Sequence, residues 1–132
     1  MDDLLATSRF ASWLGLRIVS RSDGACRIEL EIRDEHANTR GIAHGGVIAS
    51  LIDTAAGAAI ALQPSIDGQG VVTVSLATSY LAPAQVGDVL VAEARRRSAG
   101  KRIVVCEVEV TTTKGASIAS ALVTLASAKL PV

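Results

Sequence analysis

The rhythm of hydrophobic and polar positions changes several times along this chain, and each change marks an element. Leu16 to Arg21 alternates with the period of two expected of a strand. Cys26-Arg27-Ile28-Glu29-Leu30-Glu31-Ile32-Arg33 repeats that alternation, giving one apolar face and one charged face. Asp23-Gly24 between them is a hairpin signal. Residues 34–44 lose the period and read as loop. From Gly45 to about Leu62 the chain is apolar almost all round, which predicts a helix buried on most sides, stopped by Gln63-Pro64. After the turn-rich Asp67-Gly68-Gln69-Gly70 come strands over roughly 71–81, 88–98 and 101–113, and a last one over about 116–127. Pro83, Gly87-Asp88, Ala99-Gly100 and Lys114-Gly115 separate them. Residues 2–13 predict a short leading helix with Leu4, Leu5, Phe10 and Trp13 on its apolar side, ended by Gly15.

One long helix and about six strands, mostly linked by hairpin signals, predict an α+β chain with an antiparallel sheet. A sheet curling around the helix would bury it. So would a sheet on one side and a second protomer on the other. The 132 residues fit one domain, and with only 2% aromatics its core must be built from Val, Ile, Leu and Ala. A net charge of zero argues against a nucleic-acid-binding domain. Asp53 interrupts the longest apolar run, leaving nothing near the roughly 18 residues of a membrane span. The acidic Met1-Asp2-Asp3 start is unlike a targeting peptide. Cys26 and Cys106 read as reduced core thiols of a cytoplasmic protein, and nothing suggests a metal site.

The candidate chemistry sits around the long helix. Asp53 is a carboxylate among Ala, Ile and Leu, where an ionised group needs a partner or a function. Ala49, Ser50, Ala56 and Gly57, one turn away, are small and form a notch around it. A cap on a neighbouring loop or a subunit contact would explain Asp53 equally well. His44-Gly45-Gly46 opens the helix. Two glycines let a ligand approach the backbone and leave N–H groups free for a developing oxyanion. His44 would orient that turn or act as acid or base; the plain alternative is a Gly-rich helix start with a structural His. Asn38 can donate to a carbonyl or position a water, or simply shape a turn. His44 and Asp53 are nine positions apart, which the helical rise converts to roughly 13 Å. They cannot meet on one carbonyl within one chain, so a joint role requires a site shared across a two-fold dimer.

Asn38-x-x-Gly41-x-x-His44-Gly45-Gly46, with Asp53 following, resembles the hot-dog-fold acyl-CoA thioesterases of the phenylacetate-pathway (PaaI) type. The segment Val72 to Pro83 is similar to the strand that follows the helix in that family, and the likeness runs from about residue 12 to 127. It implies a curved antiparallel sheet wrapped around one long helix, in dimers whose sheets join and often pair into tetramers. It implies Asp53 as nucleophile or general base, the Gly45 N–H polarising the thioester carbonyl, Asn38 holding that carbonyl or the water, His44 supporting the loop and Thr73 positioning the water. Gly46 and Ser50 would border the acyl group. No cofactor is implied beyond the coenzyme A of the substrate. Its phosphates call for basic residues at the mouth, and Arg95, Arg97 and Lys101 gather with Arg96 and Arg102 around the Ala99-Gly100 hairpin. A solvated hairpin guarded against edge pairing is the alternative for each of them. His36 is expected to be an ordinary loop residue, and Phe10 and Trp13 to pack the N-terminal helix. The rival functions are a non-catalytic acyl-CoA-binding regulatory protein, a hydratase or dehydratase on the same fold, and an acyl-carrier-protein substrate in place of coenzyme A.

Overall fold

A computed structural model describes residues 8–63, 66 and 70–128. In chain order its elements are α1 (Arg9–Leu14), β1 (Arg17–Ser22), β2 (Ala25–Glu31), a 3-10 turn (Asp34–His36), α2 (Gly45–Ile60), β3 (Gly70–Tyr80), β4 (Val89–Ala99), β5 (Ile103–Thr112) and β6 (Ser117–Ala128). The six strands form one sheet in the order β1-β2-β4-β5-β6-β3, and every pairing is antiparallel. α2 and β3 are inserted between β2 and β4, so β3 crosses to the far side and forms the edge beside β6.

The strands follow from alternation. β2 buries Cys26, Ile28 and Leu30 and turns Arg27 and Glu31 outward, so one face must be covered. α2 covers it. The helix buries Ile48, Leu51, Ile52, Ala55, Ala56, Ala58, Ala59 and Ile60 against β2, β4 and β5. Truncating a core side chain as enclosed as Ile52 would cost about 2–5 kcal/mol. The helix is not buried all round, however. Gly46 is exposed, and Ser50, Asp53 and Gly57 on the same side are only half-buried. The expected stop at Pro64 and the turn at Asp67 to Gln69 lie outside the described residues; α2 itself ends at Ile60.

Three expectations are corrected at the N-terminal end. Residues 1–7 lie outside the described residues, and α1 begins only after Ser8, whose Oγ accepts the Ala11 N–H at 3.2 Å. Gly15, at φ +87°, ends it in the left-handed conformation that glycine tolerates. The stripe turned to the core is Ala11 and Leu14, not Phe10 and Trp13. One residue of rotation moves the aromatic pair outside, where Phe10 and Trp13 stack on each other at 6.2 Å, 55% and 68% exposed. His36 is not an ordinary loop residue either. It is 2% exposed, its Nδ1 accepts the Arg33 N–H at 3.0 Å, and its Nε2 lies 3.0 Å from the Leu14 carbonyl. It ties α1 to the segment that leads into α2.

Candidate active site

The loop before α2 is a closed hairpin. Asn38 N–H donates to Ile42 O at 2.8 Å, and Gly41 N–H returns to Asn38 O at 3.0 Å. Gly41 completes that turn at φ +77°, where a side chain would be strained. Asn38 is itself part of the turn, because its Oδ1 accepts the Arg40 N–H at 2.8 Å. His44 follows in an extended conformation, anchored by its N–H to the His36 carbonyl at 2.8 Å.

At the helix start, two successive peptide planes are pinned. The carbonyl of the His44–Gly45 plane accepts the Val47 N–H at 2.9 Å. The Gly45–Gly46 plane is held at both ends: its N–H donates to His44 Nδ1 at 2.8 Å, and its carbonyl accepts from the Tyr80 hydroxyl at 2.8 Å. His44 is thus the N-cap, with its Nδ1 unprotonated and used as an acceptor. Of the four groups in these two planes, only the Gly45 N–H has no acceptor among the described residues. It stands at the positive end of a 16-residue helix.

Asp53 lies two turns further along. It is half-buried, and its Oδ1 accepts a 2.5 Å hydrogen bond from Thr73 Oγ1 on β3. Ser50 turns its hydroxyl back to the Gly46 carbonyl at 2.8 Å, and Thr54 does the same to Ser50 O at 2.8 Å, so both hydroxyls are spent on the helix. The open side of α2 therefore carries one carboxylate with a donor beside it. Eight residues of helical rise, about 12 Å, separate that carboxylate from the free Gly45 N–H.

β3 supplies both partners of α2 through an irregularity. Thr73 pairs with Leu125 and Ser75 with Thr124, so Val74 is an extra residue. Seven positions separate Thr73 from Tyr80, which in a regular strand would put them on opposite faces. The bulge brings both to the side of α2. Tyr80 was not among the residues singled out from sequence. Its signal would have been its place at the end of the strand after the helix, but the bulge that aims it has no sequence mark.

The basic hairpin lies elsewhere in the protomer. Glu93 and Arg95 alternate with the buried Ala92 and Ala94, so Arg95 points away from α2. Arg97 is the extra residue of a second bulge and reaches Glu107 at 3.4 Å on that same outer face. Lys101 is exposed in the turn that follows. Arg96 faces the other way, bonding Asp23 at 2.7 Å and Gln63 Oε1 at 3.1 Å. Within one chain the structure thus joins Asp53 with Thr73, and His44 with Gly45, Gly46 and Tyr80, while Arg95 and Arg97 occupy the opposite face of the sheet. Among the described residues no three His, Cys, Asp or Glu side chains gather as metal ligands would, and no helix is long and apolar enough to cross a membrane.

The sequence profile of the thioesterase superfamily matches residues 40–119, more than half of the chain. The chain belongs to the thioesterase superfamily. Membership places it among thioester hydrolases, and the matched segment holds Gly45, Asp53, Thr73 and Tyr80. Human acyl-coenzyme A thioesterase 13 is 30% identical over 96 residues, which cover 73% of this chain and 67% of that protein. The first curated relatives are matched over 68%, 63% and 40% of their length. Among solved structures, Escherichia coli PaaI, from the phenylacetic acid degradation operon, superposes with a TM-score of 0.85 at 25% identity, covering 93% of this chain and 86% of PaaI. A Thermus thermophilus PaaI variant gives 0.82 at 26% identity, covering 92% of this chain and 98% of its own. The curved six-stranded sheet around α2 is the hot-dog fold of these thioesterases.

Proposed function

We propose that the chain hydrolyses an acyl-coenzyme A thioester to a free acid and coenzyme A, in sites shared by two protomers. The separation of Asp53 from the Gly45 N–H carries this reading. Each is prepared for thioester chemistry, yet about 12 Å of helix keeps them from one carbonyl. Pairing of two β3 edges supports the closure. β3 is long, ends the sheet and shows Val72 and Val74 to solvent. An unpaired edge of this kind is a template for a second strand. Antiparallel pairing about a two-fold axis would lay the two α2 helices in opposite directions, bringing the Gly45 end of one toward Asp53 of the other.

In such a site the thioester oxygen sits on the Gly45 N–H. Water attacks the carbonyl carbon and Asp53 takes its proton, or the Asp53 carboxylate attacks first and water cleaves the resulting anhydride. Either way the oxygen becomes an oxyanion held by the Gly45 N–H, and its collapse breaks the carbon–sulfur bond and releases the coenzyme A thiolate. Thr73 holds the Asp53 carboxylate in place, and Asn38 is within the loop that borders the oxyanion position. The human relative's name supports coenzyme A as the carrier. Assembly as a dimer, or as a dimer of dimers, belongs to the same proposal.

Free-thiol release from a panel of short, long and aromatic acyl-CoA esters tests it, with Asp53→Asn measured beside the wild type. Hydrolysis by the wild type that falls about 10²- to 10⁴-fold in the variant is expected of a lost base. No release from any ester by the wild type would overturn the reading.

A further inference from the structure

Tyr80 lies beside the helix start, 53% exposed, at the end of β3. Its hydroxyl donates to the Gly45 carbonyl at 2.8 Å, and its ring carbons lie 3.4–3.5 Å from where a Gly45 Cβ would stand. The ring therefore rests against the glycine backbone, and the hydroxyl holds the peptide. Two adjacent glycines are the most freely rotating pair a helix could begin with. An oxyanion donor works only when its direction is fixed before the charge appears, since reorientation during the reaction adds to the barrier. Something must therefore hold Gly45-Gly46 still. Besides the Val47 N–H on the His44 carbonyl, the described residues supply two side-chain holders: His44 Nδ1 on the Gly46 N–H, and Tyr80 Oη on the Gly45 carbonyl.

The two bonds share one peptide group. Tyr80 O–H donates to the carbonyl, and the N–H of that same amide donates to His44. Bonds linked through one amide polarise each other, so each strengthens the other. The free N–H belongs to the preceding His44–Gly45 plane, whose carbonyl the Val47 N–H holds. With the Gly45–Gly46 plane fixed on the other side of the Gly45 Cα, both torsions of Gly45 are set, and with them the direction of that N–H. From this geometry we infer that Tyr80 is a positioning residue for catalysis, acting through the Gly45–Gly46 peptide to aim the Gly45 N–H at the thioester oxygen. It needs no contact with the reacting atoms. The inference rests on the thioesterase reading above and extends it to a residue of β3.

Tyr80→Phe keeps the ring against Gly45 and removes only the hydroxyl. Tyr80→Leu removes both. Two readouts, on the full-length 15N-labelled protein, separate positioning from plain structural support. The first is the amide resonances of Gly45 and Gly46. In Tyr80→Phe the Gly46 amide proton should move upfield and both amides should exchange faster, with the rest of the spectrum in place. The second is the split of kcat from KM in acyl-CoA hydrolysis. A donor that matters more in the transition state than in the ground state should lower kcat, roughly tenfold, and leave KM within about twofold. Tyr80→Leu should lose more kcat than Tyr80→Phe. Unchanged Gly45 and Gly46 resonances in Tyr80→Phe would overturn the inference, as would a kcat equal to that of wild type or a loss confined to KM. A wild type that hydrolyses no thioester would instead bring down the functional reading, and the amide resonances alone would then decide whether Tyr80 holds the peptide.

Discussion

Gly45→Pro isolates one hydrogen-bond donor. Proline at the first position of a helix lacks only an N–H that the helix does not use, and its fixed φ suits the turn that follows. The residue before a proline must be extended, and His44 already is, at φ −61° and ψ 137°. The Gly45 N–H has no acceptor among the described residues, so no internal bond is lost. A Cβ at Gly45 would meet the Tyr80 ring at 3.4 Å, which is van der Waals contact. The fold should therefore survive, with stability gaining up to about 1 kcal/mol from the stiffer unfolded chain. Catalysis should not. Removing one oxyanion donor costs about 2.7–4 kcal/mol, or 10²–10³ in kcat. The assay is thiol release under saturating acyl-CoA, with urea unfolding on the same preparation. Gly45→Ala keeps the N–H and should lose far less than Gly45→Pro. A Gly45→Pro protein that unfolds at the wild-type urea concentration or above and retains kcat within threefold would refute the donor assignment.

If sites are shared, unfolding and refolding an equal mixture of Gly45→Pro and Asp53→Asn chains should restore activity. Random pairing makes half the dimers mixed, each with one intact site of two, so about a quarter of wild-type activity should return. No recovery above the two parent variants would place both groups in one chain's site. The two cysteines are buried and not joined in a disulfide, and burial raises the Cys106 thiol from its ordinary 9.0 to about 11, against a smaller opposing pull from Arg96. Since the thiolate is the reactive form, neither cysteine should react with a thiol reagent in the native protein at neutral pH, and both should react after unfolding. The folded chain holds the Cys106 proton more tightly than the unfolded one, so this residue's contribution to stability is complete below about pH 9 and is lost as pH rises toward about 11. Native reactivity of two thiols per chain would show the core to be open.

The regular elements were legible because each has a period. The alternation from Cys26 to Arg33 gave β2, and the apolar run after Gly46, interrupted by Asp53, gave α2. Asp53 was legible because a carboxylate is out of place in such a run, and its distance from Gly45 needed only the helical rise. The parts that escaped depend on tertiary contacts. Nothing local shows that β3 crosses to lie beside β6, or that Leu14 rather than Trp13 meets the core. His36 looked idle because its partners, Arg33 and Leu14, come together only once α1 has docked. Arg95 and Arg97 are two apart and do share a face, but the sequence does not say that this face is turned away from α2.

Deleting Val74, the extra residue of β3, would let the strand pair evenly with β6, because Thr73 and Ser75 already sit opposite the consecutive Leu125 and Thr124. Thr73 and Tyr80 would then be six positions apart, an even number, and both would still face α2. A protein one codon shorter at this point would keep its fold, its helix start and the hydroxyl beside Asp53. Parity rather than length ties the two hydroxyls to one face: seven positions with the bulge and six without it are equivalent.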